Sequence, residues 1–180
     1  MNEGHPTQKR STGALPPEML RTRVINEIRD ALRHLQGSHR IQHTDFERLT
    51  LPTTIIVEML DSPGPIWHED RVGHSFQHSF LFEITEDYPF QKPIVRWRTP
   101  IFHPNIMPPE EGGAVCTKLL DVWGSNCNIL AFIRAVECLL VTPNPTDPFH
   151  TRTCVLATEH FSEFGYNPPS AMEEEAAEAP

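Results

Sequence analysis

The chain has 180 residues, a length that fits one domain with a sizeable buried core. Its net charge of −9 argues against a nucleic-acid-binding surface. No run approaches the roughly 18 apolar residues of a membrane span, and the opening MNEGHPTQKRST lacks the apolar stretch of a secretory signal. A soluble cytoplasmic protein with no membrane partner is therefore expected. Residues 1–15 are polar with Gly and Pro and read as a flexible N-terminal arm. PPEMLRTRVINEIRDALRHLQG opens on Pro and closes on Gly37; Leu20, Val24, Ile28, Leu32 and Leu35 recur every three or four residues, so an amphipathic helix is predicted. ERLTLPTTIIVEML is rich in Thr, Ile and Val and reads as a strand that DSPGP ends. SFQHSFLFEI alternates, placing Phe76, His78, Phe80, Phe82 and Ile84 on one face. EDYPFQKP is a turn and IVRWR a short strand. NILAFIRAVECLL carries Ile129, Phe132, Ile133, Val136 and Leu140 on one helical face, TPNPTDP breaks it, and TRTCVLATEHF has a last, weak helical pattern. Residues 16–166 thus form one core domain, and 167–180, made largely of Pro, Ala and Glu, read as a disordered acidic tail. Strands run together instead of alternating with helices, so the class is α+β with an antiparallel sheet.

The ten histidines are scattered. His39 with His43 and His74 with His78 have HxxxH spacing, but that spacing unites two imidazoles only on a helix. The first pair follows Gly37, where the helix stops. The second lies in a strand-like stretch, where four residues span roughly 13 Å. No metal site is expected. The four cysteines, Cys116, Cys127, Cys138 and Cys154, form no CxxC pair, which argues against a zinc ribbon. Cys127, Cys138 and Cys154 read as packing residues in or beside apolar helical stretches.

Cys116 stands apart. It follows FHPNIMPPEEGGAV, a loop of Pro, Glu and Gly, and is expected at a partly exposed edge where a thiol can react. A cysteine hydrolase would need an adjacent base, and only His103 and His150 offer one, neither in a recognisable protease setting. A thiol that exchanges one thioester for another needs less: a hydrogen-bond donor for the developing oxyanion and help for an incoming amine to lose its proton. Asn105 and Asp147 supply an amide and a carboxylate in loops.

These residues carry a resemblance. Gly64-Pro65, Gly73 to Phe76, Tyr88-Pro89-Phe90 with Pro93, His103-Pro104-Asn105, Cys116, Trp123, the helix over 128–140 and the Pro-Asn-Pro-x-Asp-Pro stretch from Pro143 to Pro148 follow, in order, the pattern of ubiquitin-conjugating (E2) enzymes. The resemblance spans roughly residues 17–165 and identifies the chain as a divergent member. It implies a UBC-like fold, a four-stranded antiparallel meander sheet flanked by helices. It implies that Cys116 accepts the C-terminus of ubiquitin or a ubiquitin-like protein from an E1 activating enzyme and passes it to an amine of a protein substrate. Asn105 resembles the asparagine that stabilises the oxyanion or holds the active-site loop. Asp147 resembles the acid that orients the incoming lysine, while His103 and Pro104 shape the turn. No cofactor is implied, since ATP is used by the activating enzyme.

The chain also departs from the pattern. The gap from Asn105 to Cys116 is longer than usual and that from Cys116 to Trp123 slightly shorter. Thr117-Lys118 replaces Leu-Asp, and Lys118 would either steady a thiolate or simply be solvated. Phe90 matches a RING-type E3 contact, whereas Gly124-Ser125-Asn126 replaces Ser-Pro-Ala, so Ser125 and Asn126 leave such a partner open. Arg134 stands where a small or apolar residue meets the modifier. Such departures fit a specialised or prokaryotic (archaeal or bacterial, for example antiviral) conjugation system. The alternative from another class is an inactive E2-like module that binds a ubiquitin-like protein.

Overall fold

A computed structural model describes residues 14–168 of the chain. The predicted arm and tail lie almost wholly outside them, in residues 1–13 and 169–180. The first element is α1 (Pro17–His34), with Pro at its first turn and Leu20, Val24, Ile25, Ile28 and Ala31 buried. Leu35 closes it, its N–H donating to Ala31 O, and Gly37 at φ +91° turns the chain out. Leu15, assigned to the arm, already packs on the core.

Six strands follow: β1 (His39–Gln42), β2 (Thr53–Met59), β3 (Gly64–His68), β4 (Arg71–Ser75), β5 (His78–Ile84) and β6 (Ile94–Trp97). The main sheet has the order β1-β2-β5-β6 with every pair antiparallel, the expected meander. β2 and β5 alternate cleanly between buried and part-exposed residues. Ile55 pairs with Phe82, Val57 with Phe80 and Met59 with His78, so the buried side chains of neighbouring strands share one face. That face, α1 and the later helix α3 (Ile129–Val141) enclose a single core; Phe132 of α3 meets Phe80 edge-on, with ring centroids 5.8 Å apart.

Three strands were not anticipated. β1 is four residues with a single buried aliphatic side chain, Ile41, too little to set a period. β3 and β4 form a separate hairpin inserted between β2 and β5, turning on Glu69 and Asp70, both at positive φ. Its strands show no alternation of buried and exposed residues and its turn lacks glycine, so the usual signals are missing. The strand expected from Glu47 begins only at Thr53, past a cis Leu51–Pro52 bond.

After β6 come a 3-10 turn (Pro109–Glu111), a short α2 (Lys118–Asp121), α3 and α4 (Arg152–Phe164). Asn128 caps α3, its side-chain oxygen accepting from Ala131 N at 2.8 Å. Cys127 and Cys154 are buried, but Cys138 is exposed, contrary to expectation. Two residues beyond the buried Val136, the helix has turned about 200°, which points Cys138 to solvent. Among the described residues no helix is long and apolar enough to cross a membrane.

Candidate active site

The segment from His103 to Cys116 folds back on itself as a narrow hairpin. Ile106 bridges both His103 and Val115, Met107 N donates to Ala114 O at 2.9 Å, and Cys116 N donates to Asn105 O at 2.9 Å. Cys116 therefore sits at the foot of the hairpin, directly across from Asn105. Gly113 seats the hairpin against the sheet edge, its carbonyl accepting from Trp97 N at 2.7 Å. A Cβ at Gly113 would lie 2.6 Å from Trp97 O, and its φ is +65°, so only glycine fits there.

His103 is a strut. It is completely buried, its Nδ1 accepts from Asn105 N at 3.0 Å and its Nε2–H donates to Leu139 O at 3.0 Å. Burial pushes its pKa down to about 4, so the ring is neutral, and neither nitrogen is free to act as a base. A hydrolase reading loses its nearest base in this way, and the other histidine weighed for that role, His150, is exposed. Pro104 lends its carbonyl to Phe149 N at 2.9 Å.

Asn105 is buried and uses its whole amide. Oδ1 accepts from Asn144 N at 2.8 Å, and Nδ2 donates to Asn144 O at 3.0 Å and to Asp147 O at 2.8 Å. The loop after α3 is thereby stitched to the hairpin, and Asn144 stiffens it further by accepting from Thr146 N and Oγ1. The exposed side chain of Asp147 projects from this fixed loop.

The thiol of Cys116 is half-buried. Burial raises its pKa above the ordinary thiol value, and the carboxylates of Asp121 and Asp147 push it the same way, while Lys92 opposes them. The structure thus brings Cys116, Asn105, His103, Pro104 and Asp147 together, and sets Lys92 and Asp121, which the sequence did not single out, near enough for their charges to bear on the thiol. Lys92 lies in the QKP turn and Asp121 at the end of α2, and neither position carries a local signal. The side chain of Lys118, considered as the basic neighbour, lies outside the described ones.

Phe90, Ser125 and Asn126 are all exposed. Their two loops meet where Trp123 Nε1 donates to Pro89 O at 3.0 Å. Arg23 of α1 braces the second loop, donating to Ser125 O at 2.8 Å and Cys127 O at 3.0 Å. Arg134 on α3 is exposed but tethered, with Nη1 2.8 Å from Glu137 Oε2.

An antiparallel meander flanked by helices, with a half-exposed thiol at the foot of a His-Pro-Asn hairpin, is the architecture of a ubiquitin-conjugating enzyme. The model of that family, "Ubiquitin-conjugating enzyme", matches residues 56–169, and the chain belongs to it. The "Probable ubiquitin-conjugating enzyme E2 L460" of Acanthamoeba polyphaga mimivirus is 26% identical over 134 residues, which are 73% of this chain and 81% of the viral one. Human "Ubiquitin-conjugating enzyme E2 T" is 35% identical over 94 residues, 49% of this chain but only 43% of its own length. Among solved structures, Saccharomyces cerevisiae Ubc12 superposes with a TM-score of 0.61 at 21% identity, covering 83% of this chain and 74% of that one, which speaks for the fold.

Proposed function

We propose that this chain accepts the C-terminus of ubiquitin or a ubiquitin-like protein as a thioester on Cys116, from an activating enzyme, and transfers it to an amine of a target protein. The observation that carries this reading is the placement of the half-exposed thiol: the backbone of Cys116 pairs with that of Asn105 across the hairpin, and the Asn105 side chain holds the loop that presents Asp147.

In charging, Cys116 Sγ–H gives its proton to solvent and the thiolate attacks the carbonyl carbon of the incoming thioester. A C–S bond forms to Cys116, the old C–S bond breaks, and the departing sulfur takes up a proton. In transfer, the target amine attacks the same carbonyl, a C–N bond replaces the C–S bond, and the proton lost by nitrogen passes to the Cys116 sulfur. Asp147 is the group suited to orient the incoming ammonium and help remove its proton. Asn105 has both amide hydrogens committed to backbone carbonyls, which supports the loop-holding role over direct oxyanion donation.

The exposed Phe90, Ser125 and Asn126 form the candidate surface for an E3 partner, which Phe90 supports and the change at Gly124 to Asn126 leaves open, and the cytoplasm is the compartment this reading assigns. The changes at Gly124 to Asn126 and at Arg134 support a specialised conjugation system. An archaeal or bacterial setting rests on those departures alone, since the relatives named above are viral, human and yeast proteins.

The test is a Cys116→Lys variant expressed in the native cell and analysed by intact and peptide mass spectrometry. The new amine converts a labile thioester into a stable amide. A discrete adduct on residue 116, absent from Cys116→Ala, is expected, and its mass identifies the modifier. A folded Cys116→Lys protein that stays unmodified would move the assignment to an inactive binding module.

A further inference from the structure

The loop that lengthens the approach to Cys116 is anchored at its tip. Pro109 and Glu110 are exposed, but Glu111 turns inward. Its Oε1 accepts from Thr153 N at 3.0 Å and from Thr153 Oγ1 at 2.9 Å, and Oε2 lies 3.3 Å from the same N–H. Thr153 is the second residue of α4, and its N–H is one of the amides a helix start leaves without an internal partner. Thr151, at the cap position, makes no capping bond to the helix, so the cap comes from a carboxylate 42 residues earlier in the chain. Burial opposes ionisation of Glu111, yet Thr151, Thr153 and the charge of Arg152 outweigh it and leave its pKa lowered. The anchor therefore stays ionised at neutral pH.

The same helix grips the hairpin a second time. Cys154 Sγ is buried 3.6 Å from Ile106 O, and Ile106 is the residue that bridges Val115, next to the thiol. With Gly113 seated on Trp97, the hairpin is held at its side, its stem and its tip.

We propose that Glu111 is a positioning residue: by clamping the tip of the 107–113 loop to the start of α4, it fixes the hairpin that carries Cys116 and the wall past which an acceptor amine must come. This rests on Cys116 being the reacting thiol. Freed from the clamp, the hairpin opens more often and the half-buried thiol becomes more accessible.

Alkylation by iodoacetamide reads this without any modifier. In a Cys138→Ser background, which removes the exposed competing thiol, the rate at Cys116 is followed by peptide mass spectrometry. Glu111→Ala is expected to react roughly threefold to tenfold faster than the parent, the range set by loss of one helix cap. Glu111→Gln keeps an acceptor oxygen for Thr153 and is expected to restore most of the protection. Glu159→Gly, at an exposed position further along α4, weakens the helix without touching the hairpin's contacts and controls for plain loss of stability. Equal rates in Glu111→Ala and its parent would overturn the proposal, as would equal acceleration by Glu159→Gly at a matched melting temperature. The outcome is independent of the lysine trap: acceleration without a trapped adduct would retain the clamp and reject the transferase reading, and an adduct without acceleration would do the reverse.

Discussion

At the scale of single residues, the candidate site is marked by a thiol whose surroundings disfavour its ionisation. Burial, Asp121 and Asp147 all disfavour the Cys116 thiolate, and Lys92 favours it. At neutral pH the thiolate fraction is then smaller than for a free cysteine, and reactivity climbs as pH rises toward the elevated pKa. Neutralising either acid should lower the pH midpoint of Cys116 alkylation, and Lys92→Met should raise it. A midpoint that stays fixed in Asp121→Asn and Asp147→Asn would mean that burial alone sets the ionisation. Asp147→Asn should also slow transfer to free lysine by on the order of a hundredfold, the usual weight of a positioned proton acceptor, even though its thiol is easier to ionise. The positions of the His-Pro-Asn and Pro-Asn-Pro-x-Asp-Pro residues beside one another were legible in the sequence because each motif carries its own turn. Lys92, Asp121 and Glu111 were not: the first two bear on Cys116 only through their charge, which no motif marks, and Glu111 bonds a residue 42 positions away.

At the scale of elements, what matters is how the 105–116 hairpin is hung on the sheet. Its seat is the backbone contact between Gly113 and Trp97, and Trp97 itself lies in β6, paired with Phe80 of β5. Gly113→Ala would bring a Cβ to 2.6 Å from Trp97 O in a left-handed backbone conformation. The strain and the clash together should cost roughly 2–4 kcal/mol. Urea denaturation measures this, and a variant as stable as the parent would show that the hairpin does not depend on its seat. Elements with strong periodicity were visible in advance: α1 through its apolar stripe, β5 through its alternation, α3 through its Ile/Phe/Val face. β1 and the β3–β4 hairpin were not, because they are four or five residues long with no alternation of apolar side chains, and pairing with a neighbour is what makes them strands.

At the scale of the whole molecule, histidines in place of aliphatic residues tie the stability of the core to pH. His78 lies on the inner face of β5, its Nε2–H donating to Ser75 O at 2.8 Å beneath Gly64. Burial drives its pKa down to about 4, as it does for His103, and it lowers that of His39 despite the nearby Glu137. In the unfolded chain these rings take up protons near pH 6.5. The native state binds fewer protons, so their contribution is fully present above pH 6.5, declines as pH falls, and is exhausted near pH 4. For His78 and His103 the loss between pH 6.5 and pH 5 is roughly 2 kcal/mol per ring. Chemical denaturation at pH 7.5, 6.0 and 5.0 should therefore show a steep decline in the parent protein. His78→Leu should start from lower stability, since Ser75 O loses its partner, but decline less steeply because one ring no longer titrates. Parallel declines in the two proteins would assign the acid sensitivity to other groups.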